Sequence, residues 1–531
     1  MAKSHHPFHP IIYVRGFAAT QGEIEDTVAD PYMGFNIGST KSRTLWTGKV
    51  KKFFFESPVL RLKRNYNYED VYLDGDDLAD AAAGKDLPYR SIIIYRYYDD
   101  ASVDFGTGDT PPIEHFAKGL NDLVLRLRDK MCSNVDNDLT PDDFRVYLVA
   151  HSMGGLVCRA FLQNPELGAA EARKSVDKVF TYATPHNGID MRVIRNVPAW
   201  ATFGDVDNFN RKRMAKYFGL SHPPGKERDD VSEVVNFPPE RIFNLVGTNP
   251  ADYLVANGLS SWAVGERSDG LVRIDNATTH GYDQLKQKEI QSPRAFVHRS
   301  HSGYYGIVNS EEGYQNLTRF LFGNVRIDGI LDIDDITLPN VVRTELEAGK
   351  KVHASYQIEV VMSIRGAQWQ MHRRTSRENS PIFREYDKLF TRQLADKKFV
   401  PDHSQSPHLF SAFLDRSKST EKDGSVSLAL DLNILVPDYE IDGALFLKKH
   451  YEGGYIYREL FILKANPHKD GNWQITWGRQ SATPNEAPIP AMTQPLADGG
   501  VRFGIPIEQS QRPGVKATLR IEARTWNEAP R

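Results

Sequence analysis

Residues 144–162 read Phe144-Arg-Val-Tyr-Leu-Val-Ala-His-Ser-Met-Gly-Gly-Leu-Val-Cys-Arg-Ala-Phe-Leu162, and this stretch decides the fold of the chain. Its first half, from Val146 to Val149, is typical of a short buried strand, whereas the apolar residues from Leu156 onward recur at helical spacing. Ser152 stands between the two halves among small residues, because a strand that turns directly into a helix leaves little room for side chains. The stretch therefore predicts a strand, a strained turn that carries Ser152, and a helix.

The predicted position of Ser152 also has a chemical meaning. Amide groups in the first turn of a helix have no partner within the helix, and the helix dipole favours negative charge there. The amide of Met153 is one such donor, and it points toward the place where a negatively charged oxygen would form beside Ser152. We interpret Ser152 as a candidate nucleophile, and a serine that only caps the helix is the alternative.

Composition limits the classes of protein to which the chain can belong. A length of 531 residues exceeds what one hydrophobic core normally serves, so we expect two domains. The 66 basic residues nearly balance the 69 acidic ones, and the chain has no long basic run, which argues against nucleic-acid binding. Hydrophobic residues make up 40% and charged residues 25%, as in ordinary globular proteins. No apolar run is long enough to cross a bilayer, so no transmembrane segment is expected.

The cysteines and the N-terminal residues bear on localisation. Only Cys132 and Cys158 are present, which excludes a disulfide framework and suits a reducing compartment. A strand is predicted to start at about Ile11, which leaves no space for the apolar core of a signal peptide. We expect a cytoplasmic protein, or one exported without a cleaved signal peptide. His5, His6 and His9 are interrupted by prolines, and we expect them in a solvated tail rather than at a metal ion.

The order of the predicted elements indicates the fold class. Buried strands at 10–14, 91–95, 144–149 and 178–182 alternate with helical patterns, which is typical of a mostly parallel sheet flanked by helices. Beyond residue 324 the apolar residues alternate with polar ones, as in half-buried antiparallel strands. We therefore predict an α/β domain over residues 1–324 and an all-β, sandwich-like domain over 325–531, with a helical insertion at about 382–394.

Two motifs carry a resemblance to a known superfamily. Ala150-His-Ser-Met-Gly154 resembles the nucleophile elbow of α/β-hydrolases, with alanine in place of the commoner first glycine. Thr184-Pro-His-Asn-Gly188 is similar to a turn of many lipases in which the histidine supports the loop. The resemblance covers about residues 10–323 and is to bacterial lipases and esterases, including the inositol-deacylase type and lipase effectors.

The resemblance implies a site of three residues, Ser152, Asp269 and His301, in the chain order that α/β-hydrolases share. Asp269 is followed by glycine, as in the acid loop of lipases, and His301 precedes the last predicted helix of the domain. Two alternatives stay open. Asp275 could replace Asp269 as the acid, and His298 could replace His301 as the base.

The resemblance also implies the chemistry. It indicates hydrolysis of carboxylic esters, as in a lipase or phospholipase, through an acyl-enzyme on Ser152, with the amides of Phe17 and Met153 as the oxyanion hole. No cofactor or metal is expected. An insertion at about 190–240 corresponds to the cap or lid of the family. The alternatives are a catalytically silent lipid- or protein-binding module, and an amidase or thioesterase on the same fold.

Residues 34–70 are rich in both basic and aromatic side chains, among them Trp46, Phe53 and Phe54 beside Lys51 and Lys52. This mixture suits a surface that touches lipid headgroups, which would make peripheral contact with a membrane. Aromatic residues that pack over the edge of a sheet would have the same composition. The sequence leaves both interpretations open, and it identifies no protein partner.

Overall fold

The computed structural model describes residues 5–16, 18, 21–73, 75–80, 87–109, 111–189, 206–221, 229–250, 267–283, 285, 288–392, 399–442, 448–467, 473–481 and 487–527. The chain divides into two compact units, one of residues 1–294 with 298–321 and the other of residues 322–531 with 295–297. The predicted boundary lay between residues 324 and 325, three residues further along the chain.

The first unit is organised around a parallel sheet, whose central strands are apolar and buried, as is typical when helices cover both faces. The sheet has seven strands: β1 Ile11–Val14, β4 Glu69–Asp70, β7 Ser91–Tyr95, β8 Val146–His151, β9 Val176–Tyr182, β10 Ile242–Gly247 and β13 Arg294–Val297. Their order across the sheet is β13-β10-β9-β8-β1-β7-β4. The register pairs Ile11 with both Tyr147 and Ile92, so β1 lies between β8 and β7.

Short antiparallel pairs accompany the main sheet. They are β2 Ser39–Thr44 with β3 Val50–Phe55, β5 Tyr72–Leu73 with β6 Asp76–Asp77, and β11 His280–Tyr282 with β12 Glu289–Gln291. The helices described in this unit are α1 Gln21–Ala29, α2 Pro58–Tyr66, α3 Ile113–Ser133, α4 Met153–Gln163, α5 Ala170–Ser175, α6 Arg211–Tyr217 and α7 Glu311–Phe322. In α3 the apolar side chains recur at helical spacing and are buried, among them Phe116, Leu120 and Leu127.

The second unit consists mainly of antiparallel strands. The strands are β14 Val325–Thr337, β15 Val352–Ile364, β16 His372–Arg374, β17 Ile382–Glu385, β18 Phe390–Arg392, β19 Phe399–Pro401, β20 His408–Leu414, β21 Val426–Asp442, β22 Lys448–Pro467, β23 Trp473–Arg479, β24 Ile489–Pro490, β25 Gln494–Pro495, β26 Val501–Gln509 and β27 Gly514–Thr525. One sheet has the order β20-β14-β27-β26-β25, and the other has the order β16-β15-β21-β22-β23-β24, with β17 also paired to β15. The described helices here are α8 Asn340–Glu347 and the single turn α9 Tyr386–Leu389.

Both large sheets of the second unit contribute to one hydrophobic core, since Ile327 and Leu519 of the first share it with Val360 and Leu432 of the second. Two antiparallel sheets with a common core form a sandwich. The predicted fold class, a parallel α/β sheet with helices followed by a β-rich domain, is confirmed.

Two local predictions were wrong. The helical insertion was expected at 382–394, but the described residues to 392 form two strands, β17 and β18, with one turn of helix between them. Residues from Ile382 to Glu385 pair with β15, and this pairing overrides their helical spacing. His9 does not lie in a solvated tail. It is buried, its Nδ1 is 2.8 Å from the Tyr89 hydroxyl, and its ring meets Tyr147 edge-on at 5.2 Å. His9 therefore packs into the first unit.

Within the described residues, no helix combines the length and the apolar character that crossing a bilayer would demand.

Candidate active site

Ser152 lies at the sharp turn between β8 and α4. Its backbone has φ 51° and ψ −125°, a conformation that costs a residue with a side chain about 1–3 kcal/mol. The surrounding structure holds it there: the Ser152 amide donates to the Tyr182 carbonyl at 2.9 Å. Close packing also explains Gly154, since a Cβ at this position would overlap the carbonyl oxygens of Val14 and Arg15. The small residues of the motif therefore let β1 approach the turn.

Three side chains from distant parts of the chain meet at this turn. The Ser152 hydroxyl is 2.9 Å from His301 Nε2, and His301 Nδ1 is 3.1 Å from Asp269 Oδ2. All three residues are buried, and Ser152 is only 3% exposed. The geometry is that of a nucleophile beside a base that is oriented by an acid.

Asp269 is fixed by its own loop. Its Oδ1 accepts hydrogen bonds from the amides of Leu271 at 3.0 Å and Val272 at 2.7 Å, which leaves Oδ2 for His301. Gly270, with φ 101°, supplies the left-handed turn that these bonds require. The main chain adds a further link, because the His301 amide donates to the Asp269 carbonyl at 2.8 Å. Acid and histidine are thus held together through both side chain and backbone.

The structure does not bring the two alternative residues into this arrangement. The Asp275 side chain is 71% exposed and lies 3.5 Å from Arg267 Nη2. His298 is exposed, with its Nδ1 3.5 Å from the Thr248 hydroxyl. Neither makes a described hydrogen bond to Ser152.

The role of His151, the residue before the serine, is not evident from the sequence. Its Nε2 donates to the His301 carbonyl across 3.0 Å, and the two rings are 5.0 Å apart. Burial lowers the pKa of His151 well below 6.5, and the nearby His301 and Arg15 lower it further. A neutral His151 that donates from Nε2 holds the His301 loop from the strand side. The partner is 150 residues away, so no local pattern could reveal it.

Of the two predicted oxyanion donors, Met153 is the first residue of α4, where the amide has no acceptor within the helix. Phe17 lies outside the described residues. Its neighbour Gly16 approaches the turn so closely that a Cβ there would lie 2.7 Å from the Ser152 Cβ. The chain after β1 therefore passes directly beside Ser152.

His186 is fully buried and does not join the three residues. Its Nε2 lies 3.2 Å from the Thr181 hydroxyl, and its carbonyl accepts from Arg159 Nη1 at 2.9 Å. Burial, followed by the charge of Arg159, lowers its pKa well below 6.5. These contacts support the loop that follows β9.

Arg159, on α4, is another residue whose role the sequence did not suggest. It is 1% exposed, and its partners are neutral: Gln163 Oε1 at 2.8 Å, and the carbonyls of His186, Val231 and Glu233 at 2.9 Å each. Its guanidinium also lies 4.0 Å from the Phe218 ring centroid. Burial lowers its pKa to about 9. Arg159 thus ties the helix behind Ser152 to two segments distant in sequence.

The insertion predicted at 190–240 lies partly outside the described residues, which omit 190–205 and 222–228. Its described part includes α6, whose Met214 and Tyr217 are buried. Among the described residues, no cluster of histidine, cysteine and acidic side chains has the geometry of a metal site.

Comparison with known proteins gives a family match for part of the chain. Residues 110–217, which contain Ser152 and the turn at 184–188, match the family described as "PGAP1-like alpha/beta domain". The fold resembles that of α/β-hydrolases, and over this segment the match confirms the resemblance seen in the sequence. None of the curated proteins matches the sequence.

Solved structures show only distant likeness. The mature form of the lipase BlEst2 from Bacillus licheniformis is 13% identical, with 60% of this chain and 93% of that chain covered and a TM-score of 0.29. Phospholipase PlaB from Legionella pneumophila, in complex with thio-NAD, is 12% identical, with 83% and 89% covered and a TM-score of 0.29. Values at this level carry no conclusion about activity or substrate.

Proposed function

We propose that this protein is a serine hydrolase that cleaves carboxylic esters of lipids through an acyl-enzyme. One observation carries the proposal: the hydrogen-bonded chain from the Ser152 hydroxyl through His301 to Asp269. A serine hydroxyl is a weak nucleophile at neutral pH, and a base oriented in this way activates it.

The contacts assign a role to each residue in the first half-reaction. His301 Nε2, 2.9 Å from the Ser152 hydroxyl, takes the proton as the serine oxygen attacks the ester carbonyl carbon. Asp269 holds His301 in the tautomer with a hydrogen on Nδ1 and stabilises the positive charge that forms on the ring. His301 then gives the proton to the leaving alcohol, and the acyl group stays on Ser152.

The second half-reaction uses the same groups with water. His301 removes a proton from water, which attacks the acyl carbon, and returns that proton to the Ser152 oxygen as the acid leaves. In both halves the carbonyl oxygen becomes negatively charged, and the amides of Met153 and Phe17 are the proposed donors to it. Each such donor typically lowers the barrier by about 3 kcal/mol.

Three observations support a lipid ester as the substrate. They are the lipase-like turn at 184–188, the match of residues 110–217 to the PGAP1-like alpha/beta domain, and the exposed basic and aromatic side chains between residues 39 and 55. An amidase or thioesterase would use the same three residues, so the substrate class requires a direct assay. A catalytically silent scaffold would not need the buried hydrogen bonds that join Ser152, His301 and Asp269.

The proposal is tested with one panel of substrates and two variants. The wild type, Ser152→Ala and the control Ser133→Ala are assayed on a short p-nitrophenyl ester, a long-chain triglyceride, a phospholipid, an anilide and a thioester. We expect lipid ester hydrolysis by the wild type and Ser133→Ala, and a loss of roughly 10⁴-fold or more in Ser152→Ala. A fluorophosphonate probe should label Ser152 alone. Hydrolysis of the anilide or thioester in preference to every ester would contradict the assignment.

A further inference from the structure

The two-stranded sheet of β2 and β3, with the turn between them, is a basic segment of the first unit. We call residues 39–55 the hairpin. It contains Lys41, Arg43, Lys49, Lys51 and Lys52 and has no acidic residue. In the part of the chain that the structure describes, no further strand joins this sheet. The hairpin therefore presents concentrated positive charge on a thin, open element.

Large apolar side chains are exposed on the hairpin beside these charges. Trp46 is 97% exposed, Phe54 75% and Val50 63%. Val50, Lys52 and Phe54 lie on one face because alternate residues of a strand point the same way. The interpretation that all the aromatic residues pack over the edge of a sheet fails for Trp46 and Phe54, whereas Phe53 and Phe55 are half-buried.

The turn of the hairpin is well defined. The Leu45 amide donates to the Lys49 carbonyl at 2.8 Å, and the Gly48 amide donates to the Leu45 carbonyl at 2.9 Å. Gly48 has φ 78°, a conformation that glycine adopts without strain. These bonds fix the backbone on both sides of Trp46, so little backbone entropy is lost when Trp46 meets another surface.

Ion pairs fix the base of the hairpin near the candidate active site. Lys41 pairs with Glu312, which also accepts from Arg299 Nη2 at 2.9 Å, and Arg299 is two residues before His301. Arg61, just beyond the hairpin, pairs with Glu311 at 2.5 Å. Glu311 and Glu312 open α7, which begins directly after the His301 loop. The hairpin is thus attached at the same edge of the sheet as Ser152.

We propose that the hairpin docks on an anionic lipid surface, with Trp46, Phe54 and Val50 entering the interface and the lysines contacting the headgroups. This inference rests on the proposed lipid ester hydrolysis and gives it a route to the substrate, because the docked hairpin would bring the edge that carries Ser152 to the membrane. Indole rings favour the boundary between water and acyl chains. Lysine and arginine beside them attract the anionic headgroups of phosphatidylglycerol or phosphatidylserine, an attraction that a neutral surface lacks.

Binding to lipid vesicles tests the proposal without any need for turnover. Two kinds of vesicle are sedimented with the full-length protein. The neutral vesicles contain phosphatidylcholine alone, and the anionic vesicles also contain phosphatidylglycerol at about 30 mol%, which gives about one charge in three lipids. The charge variant is Lys49→Glu/Lys51→Glu/Lys52→Glu, and its control is Lys118→Glu/Lys174→Glu/Lys288→Glu, at exposed lysines elsewhere in the first unit. The apolar variant is Trp46→Ser/Phe54→Ser, with Phe105→Ser/Val135→Ser as its control.

We expect the wild type and both controls to bind the anionic vesicles more tightly than the neutral ones, and added salt to weaken this preference. The charge variant should lose on the order of a hundredfold in affinity for the anionic vesicles. The apolar variant should lose affinity for both kinds of vesicle. Brominated acyl chains should quench fluorescence in the wild type more than in Trp46→Phe, since only an inserted ring reaches them.

The outcomes separate this inference from the proposed function. If vesicles bind as expected but no ester is cleaved, docking stands and the ester hydrolase proposal fails. If the short soluble ester is cleaved by all variants and vesicle binding is absent or unchanged by the hairpin variants, docking is overturned. A dimer in light scattering that Trp46→Ser/Phe54→Ser dissociates, together with absent quenching, would assign the hairpin to a second copy of the chain and would also overturn the proposal.

Discussion

His151 Nε2 donates a hydrogen bond to the main-chain carbonyl of His301 across 3.0 Å, so the residue before the candidate nucleophile holds the candidate base. The His301 amide is bound as well, to the Asp269 carbonyl at 2.8 Å. The backbone of the histidine loop is therefore fixed on both sides. These two backbone hydrogen bonds help to place the His301 ring 2.9 Å from the Ser152 hydroxyl.

Replacing His151 by alanine should lower kcat by about 10–100-fold and leave KM for a short ester nearly unchanged. The His301 carbonyl would lose its donor in a buried place, which costs about 1–3 kcal/mol, and the loop would relax away from Ser152. Steady-state kinetics measure the effect. His151→Gln, which keeps an amide donor, should recover part of kcat, and His115→Ala, at an exposed histidine, should behave as wild type. A rise in KM with kcat intact would assign His151 to substrate binding instead.

Replacing His301 by alanine should abolish ester turnover, by roughly 10⁴-fold or more, because no other imidazole lies within hydrogen-bonding distance of Ser152 in the described structure. The matched variant is His298→Ala, which changes an exposed histidine on the same loop and should stay active. Labelling by the fluorophosphonate probe gives a second measurement. An inactive His298→Ala beside an active His301→Ala would reverse the assignment.

Replacing Asp269 by asparagine should lower kcat by roughly 10⁴-fold while the protein stays folded, because the amide favours the wrong tautomer of His301. Its Oδ1 can still accept from Leu271 and Val272, so the loop keeps its shape. Asp275→Asn is the control, and we expect no effect from it. Circular dichroism and thermal unfolding check the fold. Equal loss in both variants would indicate damage to the loop rather than removal of the acid.

The buried His9 should make the first unit less stable in acid. Burial lowers its pKa from 6.5 to about 3, so between these values the unfolded chain binds a proton that the folded chain does not. Its contribution to stability is complete above pH 6.5 and declines as the pH falls toward 3, by about 1.4 kcal/mol per pH unit. The free energy of unfolding, measured with urea at pH 7.5 and pH 5, should fall between these pH values by about 2 kcal/mol less for His9→Gln than for the wild type. His115→Gln should follow the wild type, and an equal decline in all three proteins would contradict the inference.

The sequence could predict features that neighbouring residues determine, but not features that depend on contacts between residues far apart in the chain. The turn at Ser152 is determined locally, by the apolar strand before it and the glycines after it, so the motif predicted both the elbow and the fold around it. The second unit was recognised as β-rich because strands such as β21 alternate over their whole length. The segment at 382–385 is different: its spacing suits a helix, and only pairing with β15 makes it a strand.

The candidate site shows the same division. Asp269 and His301 were proposed from their order in the chain and from the superfamily, since no spacing in the sequence fixes a contact over 32 residues. The roles of His151 and Arg159 were missed because their partners are backbone carbonyls from 27 to 150 residues away. Every residue has a backbone carbonyl, so the sequence does not show which carbonyl accepts a hydrogen bond from His151 or Arg159. The burial of His9 was missed for a similar reason, since Tyr89 lies 80 residues further on.

The guanidinium of Arg159 has an electrostatic consequence for the neighbourhood of Ser152. It is a positive charge enclosed among neutral acceptors, and it adds to burial in lowering the pKa of His186. His151 is also held uncharged, by burial and by the nearby His301 and Arg15. Of the three histidines around the elbow, His151 and His186 are therefore uncharged near neutral pH. Neither His151 nor His186 should therefore add an ionisation near neutral pH to a plot of kcat/KM against pH.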